Sequence, residues 1–179
     1  MAWGTIVFIV IYAFAVTFML AGISAAPWVQ TRKKERDTLA GLLSLRPGDT
    51  VYDLGCGDGA VLYDLAGRFP DVKFAGFEVS LLPYVLAKLR GLFAGRRGAN
   101  VRILLRDLYA QDLHDAAAVF VFLMPKCYGR LQKKFAAELC PDSTVVIEVW
   151  PFAGITPVRH VKESKRVSLF VYRGEQFRS

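Results

Sequence analysis

The sequence has few of the residues that build metal centres or covalent cross-links. Its three cysteines, Cys56, Cys127 and Cys140, are odd in number, widely spaced and in no C-x-x-C pair. Its two histidines, His114 and His160, lack the spacing of metal ligands. These absences argue against a disulfide framework, a zinc site and a metal cofactor, and the unpaired cysteines indicate a reducing compartment.

Charged residues are absent from residues 1–31, which contain no Asp, Glu, Lys or Arg. The apolar run TIVFIVIYAFAVTFMLAGI offers about 20 residues, which is the length that crosses the hydrocarbon core of a bilayer. Trp3 and Trp28 bracket the run, and the basic sequence RKKER follows at residues 32–36. We therefore predict a transmembrane anchor at residues 1–30, in a single-pass membrane protein whose remaining chain is cytoplasmic. A cleaved signal peptide and a buried helix are the alternatives.

The charge balance is basic, with 23 Lys and Arg against 16 Asp and Glu, a formal net charge of +7. Part of this charge lies in RKKER, next to the predicted anchor, where it would contact the anionic headgroups of a lipid bilayer. No recognised nucleic-acid-binding motif accompanies the basic residues. The bilayer is therefore the predicted partner, and no nucleic acid is expected.

Beyond a basic linker and leading helix at residues 31–49, strand-length apolar runs alternate with helix-length segments. The predicted strands are at 51–54, 73–78, 101–105, 118–124 and 144–149, and the predicted helices are at 60–69, 81–96 and 126–139. Unbroken apolar strands separated by helices are typical of a parallel sheet covered on both faces. After Trp150, two strands with a short polar link predict an antiparallel hairpin. The expected fold of residues 50–179 is α/β.

The sequence VYDLGCGDGAVL ends the first predicted strand with an acid and three closely spaced glycines. Gly55, Gly57 and Gly59 form G-x-G-x-G, without the later glycine of the dinucleotide-binding motif. An acid at Asp53 repels a pyrophosphate but attracts an ammonium group. Glu78 ends the second strand, at a position where a carboxylate binds ribose hydroxyls. A nucleoside joined to an amino acid satisfies both acids.

This combination resembles the class I S-adenosylmethionine-dependent methyltransferases, from about residue 50 to residue 174. The resemblance implies a Rossmann-like sheet, mostly parallel with a C-terminal antiparallel hairpin, and S-adenosyl-L-methionine as the cofactor. It also implies that the loop after the first strand holds the methionine part, that the acid after the second strand binds ribose and that the acid after the third lies by the adenine. The implied cofactor-binding residues are Asp53, Gly55, Cys56, Gly57, Gly59, Glu78, Asp107 and Leu108.

A narrower resemblance rests on PWVQT, RDLYAQDL, VFVFLMP and VVIEVWPF. These segments resemble the membrane-anchored lysine methyltransferases of the ATP synthase c subunit and the adenine nucleotide translocase, with their prokaryotic relatives. The resemblance implies a lysine acceptor on a membrane protein and a pocket at Met124 and Pro125, with Tyr109 and Trp150 as candidate walls. Glu148, an acid in an apolar strand, either faces that pocket or is satisfied at the sheet edge.

Three hypotheses remain open at this point. The first is a protein-lysine methyltransferase that acts on a membrane-associated acceptor. The second is an enzyme of the same class that acts on a small molecule or a lipid. The third is a non-catalytic protein that binds S-adenosylmethionine.

Overall fold

The computed structural model describes residues 2–24, 29–162 and 166–178. The helices are α1 (Ala2–Ser24), α2 (Lys33–Leu42), α3 (Ala60–Ala66), α4 (Leu81–Ala94) and α5 (Tyr128–Glu138). The strands are β1 (Thr50–Leu54), β2 (Lys73–Glu78), β3 (Val101–Leu105), β4 (Ala116–Val121), β5 (Thr144–Glu148), β6 (Arg159–Val161) and β7 (Leu169–Arg173). Short 3₁₀ turns lie at Gly95–Gly98, Leu108–Ala110, Pro125–Cys127 and Gly174–Phe177.

The strands form one sheet in the order β3-β2-β1-β4-β5-β7-β6. The five strands β1 to β5 are parallel, while β7 runs antiparallel to both β5 and β6. The strand order reverses between β1 and β4, so their connections diverge there and leave a crevice at the carboxyl edge of the sheet. The predicted α/β sheet and its C-terminal hairpin are confirmed.

Each face of the sheet carries its own apolar layer. One layer packs α2, α3 and α4 against β1, with Leu39, Leu62 and Val51 at its centre. The other packs α5 against β4 and β5, with Leu131 and Phe135 fully buried. Burial on both faces is the reason that these strands read as unbroken apolar runs in the sequence.

Two predicted boundaries change at the ends that matter for the site. β4 ends at Val121, so the apolar residues 122–124 leave the sheet and join the carboxyl edge. A 3₁₀ turn at Pro125–Cys127 then precedes α5. Residues 122–124 are apolar because they pack against other apolar groups beyond the end of the strand. The sequence alone does not distinguish such packing from continued strand pairing.

The predicted transmembrane anchor at residues 1–30 is wrong. A crossing needs about 20 consecutive, mostly apolar residues, and no helix within the described residues is both long and apolar enough to cross a membrane. The prediction of a single-pass membrane protein with a cytoplasmic catalytic domain fails with it. Residue 1 and residues 25–28 of the predicted anchor, Trp28 among them, lie outside the described residues.

Candidate functional site

A cleft opens at the carboxyl edge of the sheet, where β1, β2 and β4 end. Its walls come from the segment before α2, the loop after β1, the end of β2, the start of α4, the residues after β3 and the end of β4. The lining residues are Val29, Gln30, Thr31, Asp53, Gly55, Cys56, Gly57, Asp58, Ala60, Val61, Phe77, Glu78, Val79, Ser80, Pro83, Arg106, Leu108, Phe120, Phe122 and Leu123.

The glycine loop adopts a backbone that other residues rarely take. Gly55, Gly57 and Gly59 have φ angles of 88°, 54° and 72°. A side chain at Gly55 would place its Cβ 2.8 Å from Leu123 Cδ2. Because positive φ and close approach both favour glycine, this loop can curl tightly at the start of α3. The open cradle that results is one that a ligand can enter.

Glu78 holds the loop from the neighbouring strand end. Its Oε2 accepts the Gly57 N–H at 3.0 Å, while its Oε1 accepts the N–H groups of Val79 and Ser80 at 2.9 and 2.7 Å. Burial raises the pKa of this carboxyl, and the three N–H donors oppose that shift. A carboxylate has about four acceptor positions, so Oε2 keeps capacity for a further donor such as a ribose hydroxyl.

Asp53 is the buried acid at the floor of the cleft. Its side chain is 2% exposed and accepts no hydrogen bond from any described residue. Burial raises its pKa well above the usual range, and repulsion from Glu78, Glu148 and Asp58 adds to the effect. A buried acid in this position is suited to a cationic ligand, whose charge would stabilise the ionised form.

Cys56 and Asp58 support the loop between the glycines. Cys56 is buried, and burial raises the pKa of its thiol well above the ordinary value, which disfavours the nucleophilic thiolate. Asp58 is bound by Arg90, whose Nη2 pairs with Oδ2 and whose Nε donates to the backbone oxygen at 3.1 Å. These contacts fix the loop from the α4 side.

The end of β3 contributes unevenly to the cleft. Leu108 is buried and lines the cleft together with Arg106. Asp107, between them, is exposed, and its Oδ1 accepts the Tyr109 N–H at 2.9 Å, so it caps the 3₁₀ turn. Asp107 does not line the cleft, and its contact with an adenine stays a prediction.

The predicted acceptor residues lie around the turn after β4. The Tyr109 hydroxyl donates to the Cys127 carbonyl at 3.2 Å, and Arg130 stacks on the Tyr109 ring 3.7 Å from its centroid. Met124, partly buried, and Pro125, exposed, begin the same turn. None of Tyr109, Met124 or Pro125 lines the cleft, and their roles at the acceptor stay predictions.

Trp150 approaches the cleft from the other side, through an unusual turn after β5. The backbone N–H of Trp150 donates to the backbone carbonyl of Glu148 at 3.1 Å, and Val149 between them has a φ of 77°. Such a γ-turn is strained for a β-branched residue, by about 1–3 kcal/mol. It carries the Trp150 ring to within 6.5 Å of Phe122, which lines the cleft, and the Tyr128 hydroxyl holds the Trp150 carbonyl at 3.0 Å.

Several cleft residues have no individual signal in the sequence. Gln30 and Thr31 belong to the PWVQT segment, and Phe122 belongs to VFVFLMP, so the family resemblance marks their neighbourhood without assigning them roles. Ser80 and Arg106 follow the ends of β2 and β3, and their position after a strand is the signal that could have found them, because residues there face the carboxyl edge.

The cleft lies at the reversal of strand order and combines a glycine cradle, an acid at the end of β2 and a buried acid with no hydrogen bond from the described residues. These are the features of a class I S-adenosylmethionine-dependent methyltransferase. Residues 53–159 match the family described as the ANTKMT methyltransferase domain. The chain belongs to this family.

Its sequence is similar to two lysine methyltransferases. A protein-lysine N-methyltransferase from Saccharolobus islandicus is 28% identical over 138 residues, which cover 76% of this chain and 84% of the relative. A lysine N-methyltransferase of Homo sapiens, named for the c subunit of ATP synthase, is 26% identical over 177 residues, which cover 98% of this chain and 73% of the relative.

Solved structures support the fold. An RNA methyltransferase from Salinibacter ruber in complex with S-adenosyl-L-homocysteine has a TM-score of 0.75 at 24% identity, covering 81% of this chain and 93% of that chain. A methyltransferase from Geobacter sulfurreducens, also with S-adenosyl-L-homocysteine, has a TM-score of 0.56 at 24% identity, covering 72% and 52%. Together with the family match and the two methyltransferase relatives, these structures identify the chain as an S-adenosylmethionine-dependent methyltransferase, and S-adenosyl-L-methionine is its cofactor.

The residues present fit this cofactor. Its ammonium and sulfonium groups are cationic, and the cleft offers the buried carboxyl of Asp53 beside Glu78. Glu78 also retains acceptor capacity for a ribose hydroxyl. The apolar side chains of Leu108, Phe120 and Phe122 provide surfaces for the uncharged parts of the ligand.

Proposed function

We propose that this enzyme transfers a methyl group to the side-chain nitrogen of a lysine in an acceptor protein. The observation that carries the proposal is the similarity over 98% of the chain to a lysine N-methyltransferase, together with the match to the protein-lysine N-methyltransferase from Saccharolobus islandicus. Both relatives are named for lysine in a protein. The cleft chemistry is compatible with that reaction.

When bound, S-adenosylmethionine supplies an electrophilic methyl group. The work of the chain's own residues is to hold the two reactants in line and to keep water out. Asp53 and Glu78 are buried, and Phe122, which lines the cleft, has the Trp150 ring nearby, so this part of the cleft combines low solvent exposure with an apolar wall. Such surroundings favour the neutral, nucleophilic form of an incoming lysine, because desolvation disfavours its ammonium form.

Short connections at the rim also favour a protein acceptor over a small molecule. Residues 122–127 link β4 to α5 and residues 149–158 link β5 to β6, and neither forms a separate cap over the cleft. A side chain presented on a protein surface can reach an uncapped site, whereas a small substrate would gain little enclosure there.

A narrower proposal concerns where the acceptor lies. The human relative is named for the c subunit of ATP synthase, and this supports a membrane-associated acceptor protein for the present enzyme. Comparing membrane and soluble fractions as substrates tests this narrower proposal.

The experiment is incubation of the purified full chain with fractionated cell protein and methyl-labelled cofactor, followed by mass spectrometry of tryptic peptides. We expect label on lysine side chains, with the Asp53→Asn variant as the inactive control. Label in a lipid or metabolite fraction alone would overturn the lysine proposal in favour of a small-molecule enzyme. Cofactor binding without label anywhere would favour a non-catalytic protein. Label confined to the soluble fraction would overturn the narrower proposal only.

A further inference from the structure

Residues 29–31, which we call the strap, form one wall of the cofactor cleft before α2 begins. Two acids hold the strap, one in the glycine loop and the other at the end of β5. The Gln30 amide donates to Asp58 Oδ2, beside the glycine loop. The Thr31 hydroxyl donates to Glu148 Oε2 at 2.6 Å, across 117 residues of sequence. The strap therefore runs along one wall of the cleft, from its glycine-loop side to the end of β5.

Glu148 is the deeper of these two anchor points. It is 2% exposed at the end of a central strand, and Thr31, which covers it, is 5% exposed. The O–O distance of 2.6 Å is within the usual range for a hydroxyl donating to a carboxylate. Arg36 Nη1 donates to the Thr31 carbonyl at 2.6 Å, so the strap is also held from α2. Among the described residues the Glu148 carboxyl binds only the strap, and this contact gives a buried acid a reason to lie in an apolar strand.

Charged groups reach Glu148 from two directions. Glu35 of α2 is 3% exposed, its Oε2 has no hydrogen-bond partner among the described residues, and its charge repels Glu148. Asp53 of β1 and Glu148 also repel each other, while Arg32, just before α2, attracts Glu148. Burial is the largest influence and raises the pKa of Glu148 to about 7, despite the opposing effect of the Thr31 hydrogen bond.

We propose that Glu148 is a positioning residue that holds the strap closed against the side of the cofactor cleft through the hydroxyl of Thr31. The role concerns cofactor binding, so it is independent of which acceptor the enzyme methylates. This role accounts for two features of Glu148. It lies on β5, which is remote in sequence from residues 29–31, and it contacts the strap although it does not line the cleft itself.

The proposal has a definite dependence on pH. When the strap opens and water reaches Glu148, its pKa returns toward the ordinary value of 4.5, whereas it is about 7 under the closed strap. The closed state therefore binds a proton that the open state has already released, so closing weakens as pH rises through 7. Between pH 6 and pH 8 these two values reduce the closing equilibrium by about tenfold.

The experiment is amide hydrogen exchange of peptides covering residues 29–36 in the ligand-free full chain at pH 6 and pH 8, corrected for intrinsic exchange. In the native protein we expect about tenfold less protection at pH 8. Glu148→Gln is neutral and retains an acceptor oxygen, so its protection should be high at both values. Thr31→Val should lose protection at both values, and Thr31→Ser should restore the native profile.

Matched controls are Glu175→Gln and Thr156→Val, since both residues are exposed and outside the cleft. Calorimetry with S-adenosylhomocysteine provides a second readout. The ratio of the Glu148→Gln affinity to the native affinity should rise between pH 6 and pH 8, because only the native strap opens as pH rises. Equal native protection at the two pH values would overturn the proposal, as would the same pH-dependent loss in Glu148→Gln. Failure of Thr31→Val to change protection would also overturn it, whatever the lysine experiment shows.

Discussion

Replacing Glu78 with glutamine tests the centre of the cofactor site while keeping the size of the side chain. Glu78 Oε1 accepts the N–H groups of Val79 and Ser80, and an amide oxygen can keep both bonds. The amide nitrogen of the glutamine would then face the Gly57 N–H, which Oε2 accepts at 3.0 Å in the native protein. Two donors would oppose each other, so the glycine loop would lose its anchor to β2.

The expected loss follows from that bond. A hydrogen bond to a charged group contributes about 1.5–3 kcal/mol, so we expect Glu78→Gln to weaken S-adenosylmethionine binding by about 10- to 150-fold. A contact to ribose would show a second signature. The 2′,3′-dideoxy form of S-adenosylhomocysteine should bind native protein at least about tenfold more weakly than the parent, because the carboxylate loses its hydroxyl donor. In Glu78→Gln the same change should matter much less.

Isothermal calorimetry gives both comparisons, and thermal unfolding verifies that the variant is folded. The control is Glu175→Gln, which removes an exposed charge from the 3₁₀ turn after β7. A folded Glu78→Gln protein with an affinity within about threefold of native would refute the loop anchor, since it corresponds to less than about 1 kcal/mol. An equal dideoxy effect in both proteins would refute the ribose contact alone.

Three further expectations concern the loop and its surroundings. Gly57→Val places a β-branched residue at a φ of 54°, so we expect about 1–3 kcal/mol of backbone strain and no measurable cofactor binding. Native cofactor affinity, measured by calorimetry, would contradict the proposed role of the glycine loop as a cradle for the cofactor. Because the pKa of Asp53 is raised in the free protein, a bound cation should lower it and release a proton. Calorimetry in buffers of different ionisation enthalpy should detect this release in the native protein and not in Asp53→Asn. Gly76→Ala would bring a Cβ within 2.6 Å of Leu62 Cδ1 and 2.7 Å of Cys56 Sγ. The free energy of unfolding, measured by denaturant titration, should therefore fall by about 1–3 kcal/mol. An unchanged free energy of unfolding would refute this packing.

Much of the fold could be predicted because the sheet is buried on both faces. Each central parallel strand then appears as an apolar run, and the observed β2 and β3 coincide with the predicted segments at 73–78 and 101–105. The end of β4 differs from its prediction, because residues 122–124 stay apolar after leaving the sheet. Hydropathy records burial but does not record which neighbour provides it.

The site divides in the same way between local and distant causes. The glycine loop is local, since positive φ at three nearby positions requires glycine in the sequence itself. The position of the strap is not determined locally, because the Thr31 hydroxyl bonds to Glu148, which is 117 residues away in the sequence. The turn at Val149 is the most difficult feature to predict, because a β-branched residue gives no sign in the sequence of a positive φ. That φ turns Trp150 toward Phe122.

The electrostatics of the cleft oppose the charge of the whole chain. The protein carries a formal net charge of +7, yet Asp53, Asp58, Glu78 and Glu148 are all buried at one edge of its sheet. Of these, Asp58 has an ion pair with Arg90, while Asp53 has no partner among the described residues and is repelled by the other three. Repulsion between buried acids opposes folding, and a bound cation would relieve it. The ligand-free cleft is therefore built to be more stable with a positively charged ligand than without one, which is the electrostatic property that a sulfonium cofactor requires.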